Sequence, residues 1–422
     1  MRVRGGGSAM RTRLTAAGLG TAGVLMTVLA GQLGSATAAA GPAAAGQGDT
    51  LRRDAAAVRD AGSSGVVAEA RDARGRSRAA RAGVADLETR APVPYDAYYR
   101  IGSDTKTFTA VLVLQLVQDG RVALSDTVAE LLPGAVTGNG HDAGRITVRN
   151  LLQHTSGLPD YDTVLFGDLE ELTAEAYREY RFQPRTPREL LDLALTQPPE
   201  WLPDGDDPGD PGLRWGYSNT NYLLAGMIVE KLTGNPWEQE VHERIIEPLG
   251  LRHTFTPAGS AYVPQPTATA YTRFPGDAEL TDTSVARGGW ADGGIISTTA
   301  DMNTFLRALM DGRLLGGEAL AAMRQTVPAT GWGEEAPEAE YGLGIVWRPV
   351  AGADPERCPG GGLWFHGGTS FGTVSETGVG EDGRHSAAAA VFTLGLDEEQ
   401  RARSMAAVRM IDNAVCAPRG SR

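Results

Sequence analysis

The chain has 422 residues and a formal net charge of -13. With 41% hydrophobic and 22% charged residues it is long enough to bury a large core. Its acidity argues against nucleic acid or an anionic lipid surface as a partner. The first forty residues differ in kind from the rest. Arg2, Arg4, Arg11 and Arg13 precede an apolar, Ala/Gly-rich run over 14–33, and the small residues at 35–40 supply cleavage sites. This reads as a secretory signal peptide, 1–40, on the general secretion route, because no adjacent arginine pair is present. Removing its four arginines leaves -13 - 4 = -17 on the exported chain. The expected protein is secreted, monomeric and free of the membrane after cleavage.

Cys358 and Cys416 are the only cysteines. An even pair in an exported protein reads as a disulfide. It closes a loop of 416 - 358 = 58 residues, worth about 4 kcal/mol in the chain-entropy picture. The six histidines show no clustered spacing, so no metal is expected.

In chain order, 41–49 is Gly/Ala-rich and expected to be flexible. Leu51 to Ala61 has a short helical pattern, and 65–71 with 77–85 read as a hairpin. Tyr98 to Ile101 is an extended approach to a mostly buried helix that begins at or just before Ser103 and stops near Gly120. Ser125-Asp126 is expected to cap Thr127 to Leu132, Thr147 to cap Val148 to His154, and Thr186-Pro187 to open Arg188 to Leu195. An acidic, Pro/Gly-rich loop over 199–213 precedes a helix from Tyr222 to Leu232 ended by Gly234. Thr299 caps a helix over Ala300 to Met310. Strands return at 341–347, 363–365 and 387–394, and a helix over Glu398 to Val415 leaves a tail, 417–422. The fold class is α+β: an antiparallel sheet built from both chain ends, flanked by helices, with a mostly helical lobe inserted over about 107–285. The catalytic domain is expected to span 50–416.

Ser103 and Lys106 lie three apart on one helical face, which places an amine beside a hydroxyl at a helix N-terminus. A serine needs a neighbouring base to act as a nucleophile, and a desolvated lysine can serve. Two further segments carry chemistry: Tyr217-Ser218-Asn219 and His366-Gly367-Gly368-Thr369. In this order the three segments resemble the penicillin-recognising serine hydrolases, which include class C β-lactamases, secreted D-alanyl-D-alanine carboxypeptidases and esterase relatives. Residues 146–158, 219–234, 290–297 and 341–344 extend the resemblance over roughly 50–416.

The resemblance implies roles. Ser103 forms an acyl-enzyme, and Lys106 and Tyr217 share the proton transfers. Asn219 orients substrate and Lys106, and His366 takes the place where many relatives carry lysine. The backbone amides of Ser103 and Thr369 form the oxyanion hole. Gly367, Gly368, Thr369 and Trp290 border the substrate, although Trp290 reads equally as a core tryptophan. The implied substrates are small D-alanyl peptides, cell-wall peptidoglycan peptides or β-lactams, with D-alanyl-D-alanine carboxypeptidase activity first. Two departures bear on that choice. Gly367 lacks the threonine hydroxyl with which such carboxypeptidases hold a terminal carboxylate, and the nearest base after Tyr341 to Gly344 is Arg348. An esterase, a D-amino-acid amidase or a β-lactamase on the same scaffold therefore stays open. So does a non-enzymatic β-lactam-binding sensor, although the body of the chain shows no membrane-spanning run. A peptide-cyclising acyltransferase is disfavoured by the signal peptide.

Gly368-Thr369-Ser370-Phe371-Gly372 also matches the nucleophile elbow of α/β-hydrolases, but no helix pattern follows it. His141, His154, His242 and His253 read as structural or surface groups, and Asp204, Asp206, Asp207 and Asp210 as part of a solvated loop.

Overall fold

A computed structural model describes residues 47–417, except 168–171, 211, 258, 334–335 and 397. The signal peptide expected over 1–40 and most of the C-terminal tail lie outside the described residues.

The main sheet draws on both ends of the chain. Its order is Ser77–Gly83, Gly65–Arg71, Ser386–Val391, Thr373–Val379, Gly362–Phe365, Val346–Pro349, Glu340–Tyr341 and Val327–Pro328; Gly367–Ser370 also pairs with Thr373–Val379. All of its pairings are antiparallel. In the middle, Val66 faces Val391 and Ala70 faces Ala387 across the ladder. Strand alternation then sends side chains to opposite faces. Val66, Ala68, Ala387, Ala389 and Val391 join a cluster with Leu51, Ala55, Val58, Met410 and Ile411, from the helices Gln47–Asp60 and Glu398–Cys416. Val67, Ala388 and Ala390 join the other cluster, which holds Phe108, Leu224 and Phe305. The alanine run over 387–390 keeps both faces thin, so helices pack close on each. Phe108 and Phe305 stack there with ring centroids 3.6 Å apart.

Several expected elements shift for local reasons. The first helix starts at Gln47, inside the segment expected to be flexible. Thr127, not Ser125 or Asp126, caps Val128–Leu131 in a reciprocal box with Glu130. Thr298 caps Thr299–Met310, one residue earlier than expected. The strand expected over 341–347 breaks at Gly344, whose φ is +76°, into Glu340–Tyr341 and Val346–Pro349. The stretch over 387–394 divides into Ser386–Val391 and Thr393–Gly395, and the second piece pairs in parallel with Tyr271–Arg273. Thr373–Val379, which lacks a helical pattern, is a fully buried central strand. The short helices Tyr161–Phe166, Ala174–Tyr180 and Gly317–Met323 carry no strong period of their own.

Cys358 and Cys416 form a disulfide with their Cα atoms 5.4 Å apart, tying the end of the last helix to the loop before Gly362–Phe365. Reduction, or a double Cys→Ser variant, is expected to lower the unfolding free energy by about 4 kcal/mol. Urea unfolding of the oxidised and reduced protein measures this; superimposable curves would show that the bridge closes no loop that matters to the unfolded chain. No helix among the described residues is long and apolar enough to cross a membrane.

Candidate active site

Ser103 lies in a 3-10 turn, Gly102–Asp104, that leads into the helix Thr105–Gln118. Two glycines let the strand Gly367–Ser370 press against this turn. Gly102 has φ +52°, and a Cβ there would sit 2.7 Å from the backbone nitrogen of Thr369. A Cβ on Gly368 would sit 1.8 Å from the Ile101 carbonyl oxygen and 3.0 Å from the Ser103 nitrogen. The backbone nitrogens of Ser103 and Thr369 are thereby brought to one lip of the site.

Lys106 is fully buried and uses all three ammonium donors. Its Nζ donates to Ser103 Oγ at 3.0 Å, to Asn219 Oδ1 at 2.6 Å and to the Asp292 carbonyl at 2.9 Å. Tyr217 donates its phenol to Ser103 Oγ at 2.8 Å. Burial pushes the Tyr217 phenol up, and the charge and hydrogen bonding of Lys106 act against that rise. The Ser103 hydroxyl thus sits between an amine and a phenol, within reach of both for proton transfer.

Asn219 stands at the N-terminus of the helix Thr220–Thr233 yet makes no capping bond with its side chain. The amide is committed to the site instead. Its Oδ1 accepts from Lys106, while its Nδ2 donates to Asp160 Oδ2 and Asp162 Oδ2, each at 3.0 Å. This pattern fixes which way the amide faces. Burial raises both carboxyls, and Asp162 also feels the charges of Asp160 and Asp292. Asp292 in turn accepts from the Tyr161 phenol at 2.6 Å and from the Trp290 backbone N–H at 3.0 Å.

His366 joins the site through a second, directed chain. The Ser218 N–H donates to His154 Nδ1 at 3.2 Å, which leaves the His154 proton on Nε2. That nitrogen donates to Tyr341 OH at 3.2 Å, and Tyr341 donates to His366 Nε2 at 3.0 Å. His366 Nδ1 then donates to the Gly367 carbonyl at 2.7 Å. Burial and the charge of Lys106 hold His154 well below the usual histidine range and His366 down at about 3. Each ring is neutral near pH 7, with one donor and one acceptor, as this chain requires.

Ser103, Tyr217, Asn219, Asp160, Asp162 and His366 line a cavity of about 840 Å³, the size of a small-molecule site. Of the residues singled out from the sequence, Ser103, Lys106, Tyr217 and Asn219 are directly hydrogen-bonded together. His366, Gly367, Gly368, Thr369 and Trp290 line the cavity, and His366 is linked through Tyr341 rather than to Ser103. Trp290 both lines the cavity and packs on Trp237 at 5.9 Å, donating to Glu238. His154 is structural, as expected, but sits in the centre of the site's network. Asp160, Asp162, Asp292 and Tyr341 complete that network. Two carboxylates flanking Tyr161, just after the motif that ends at Leu158, were the sequence signal for the first two. The would-be elbow at 368–372 is a turn between antiparallel strands, not a strand-to-helix corner.

Comparison with known proteins agrees with this geometry. A D-stereospecific amidohydrolase from Streptomyces sp. superposes with a TM-score of 0.72 at 37% identity, over 82% of this chain and 94% of that one. D-amino acid amidase from Ochrobactrum anthropi SV3 gives 0.70 at 25% identity, over 86% and 98%. Penicillin-binding protein 4 of Amycolatopsis lactamdurans is 28% identical over 299 residues, 66% of this chain and 71% of that protein. The match to Protein flp of Staphylococcus aureus, 28% identical over 172 residues, spans only 30% of that relative's length. The family model described as Beta-lactamase matches residues 34–410, and the chain belongs to that family of serine hydrolases.

Proposed function

We propose that this protein is an exported serine acyl hydrolase that cleaves amide or ester bonds on the carboxyl side of a D-amino-acid residue and needs no free carboxylate beyond the scissile bond. Lys106 and Tyr217 both donate to Ser103 in the resting pattern, so the pair first releases one proton to solvent and then takes the Ser103 proton as Oγ attacks the carbonyl. The amides of Ser103 and Thr369 hold the oxyanion. Tyr217 returns the proton to the leaving amine, and water then releases the acyl group by the same steps reversed.

The observation that carries the preference for amides is the Gly367–Glu376 pair. Gly367 has no side chain to bind a carboxylate, and Glu376 faces it directly across the ladder. A Cβ at Gly367 would lie 3.8 Å from one Glu376 carboxylate oxygen. Glu376 also lines the cavity, so a carboxyl group stands where a carboxylate-binding hydroxyl or cation would be needed. The likeness to a D-stereospecific amidohydrolase at 37% identity supports the same reading. The arginine-led, apolar N-terminus and the disulfide support an extracellular setting.

D-Ala-D-Ala carboxypeptidase is the second reading. Arg348 favours it, since this residue lines the cavity and its buried Nε and Nη2 have no hydrogen-bond partner among the described residues. Against it, that guanidinium is buried, paired with Asp412 and stacked 4.9 Å over Phe365. Steady-state hydrolysis of D-phenylalanine amide, L-phenylalanine amide and a peptide ending in D-Ala-D-Ala tests the choice. The amidase reading expects kcat/KM for the D-amide at least about a hundredfold above the other two, the scale of a few kcal/mol of discrimination. Release of D-alanine as the fastest reaction would replace it with the carboxypeptidase.

A further inference from the structure

Asp104 follows the nucleophile directly, yet it is almost wholly buried and binds the strand behind the site. Ser375 Oγ donates to its Oδ2 at 2.6 Å, and Thr377 Oγ1 lies 2.9 Å from its Oδ1. The Thr377 hydroxyl has one proton and also lies 2.6 Å from the His366 carbonyl oxygen, which can only accept. With the Thr377 proton directed there, an ionised Asp104 would meet Thr377 lone pair to lone pair. A proton on Asp104 Oδ1 resolves the contact, giving Asp104 Oδ1–H to Thr377, and Thr377 O–H to His366 O.

Among the described residues no cation is directed at Asp104 to compensate a charge. Lys106, two residues on, directs its three donors to Ser103, Asn219 and Asp292. Tyr99, on the strand Tyr99–Arg100, faces Asp104 as a neutral phenol held up above all by burial. The His366 ring is neutral. Glu376, on the same strand as Ser375 and Thr377, alternates to the opposite face, and Gly367–Ser370 has no titratable side chain.

We propose that Asp104 works as a neutral carboxylic acid, a positioning residue whose proton latches the nucleophile turn, through Thr377, to the His366 carbonyl at the head of the oxyanion strand. Burial, opposed by hydrogen bonding with Ser375 and Thr377, pushes this carboxyl up to about 8. Above that pH the latch loses its donor and leaves an anion beside the turn, so acylation of Ser103 declines. Stability moves in the same direction. Between the ordinary 3.8 of the unfolded chain and about 8, only the folded state holds the proton, so stability falls as pH rises across that window.

The inference rests on Ser103 as the nucleophile only for its kinetic arm. The first test is infrared difference spectroscopy of the wild type and Asp104→Asn at about pH 6, where folded and unfolded states differ in protonation. The wild type is expected to show a protonated-carboxyl band that the variant lacks; its absence from the wild type overturns the proposal whatever the enzyme's substrate. The second is the pH dependence of Ser103 acylation by an activated ester. Asp104→Ala is expected to lose roughly tenfold by stranding Ser375 and Thr377. Asp104→Asn, whose amide donates to Thr377 and accepts from Ser375, is expected to restore the rate and to lack the wild-type decline near pH 8. An asparagine variant as slow as the alanine one, or one that keeps the alkaline decline, overturns it.

Discussion

Ser103→Ala is expected to abolish acyl transfer, with a loss on the order of a millionfold in kcat, as when a serine hydrolase loses its nucleophile. The fold is expected to survive. Ser103 contributes an oxygen to Lys106 and Tyr217, but Lys106 keeps Asn219 and the Asp292 carbonyl, so no buried charge is left without partners. Single-turnover hydrolysis and a thermal melt, run on the same preparation, separate the two effects. A variant that keeps even one per cent of the rate, about 3 kcal/mol of barrier, would mean that another group accepts the acyl chain.

Lys106→Ala is expected to cost between about a hundredfold and ten-thousandfold, the range for removing a positioned proton-transfer group. This variant also disturbs structure, and the reason is electrostatic. Lys106 is the cation set among Asp160, Asp162 and the Asp292 carbonyl, and its charge opposes the burial-driven rise of both carboxyls. Without it Asn219 Oδ1 and the Asp292 carbonyl lose their donor, a destabilisation of about 2–3 kcal/mol. Denaturant unfolding and kcat measured together distinguish a catalytic from a structural loss. An unchanged kcat with lowered stability would assign Lys106 to scaffolding alone.

The sequence made the reacting groups legible because each sits on a short motif at a helix start or strand edge. Ser103 and Lys106 share a helical face whatever the rest of the chain does, and the buried helix that follows announces itself by composition. The apolar run over 387–394 signalled a strand by composition as well; its place in the middle of the sheet did not show. Groups that act through tertiary contacts were not legible. Asp160 and Asp162 flank Tyr161 in the sequence, but only the fold carries them to Asn219, and nothing local relates His154 to Tyr341 and His366. Gly367 was legible as a missing hydroxyl. That a carboxylate faces it depends on the register with Thr373–Val379, which no single segment specifies. The caps at Thr127 and Thr298 were misplaced by one or two residues because neighbouring serines, threonines and aspartates compete for the position.

The most direct test of the central claim, an acyl-enzyme on Ser103, is acid-quenched intact-protein mass spectrometry of the wild type with a D-phenylalanine ester, followed by peptide mapping. The account predicts a transient adduct of acyl mass, confined to the peptide that contains residues 101–106 and absent from Ser103→Ala. Turnover of the ester with no adduct at any quench time in the wild type, together with a Ser103→Ala variant that still turns over, would contradict it.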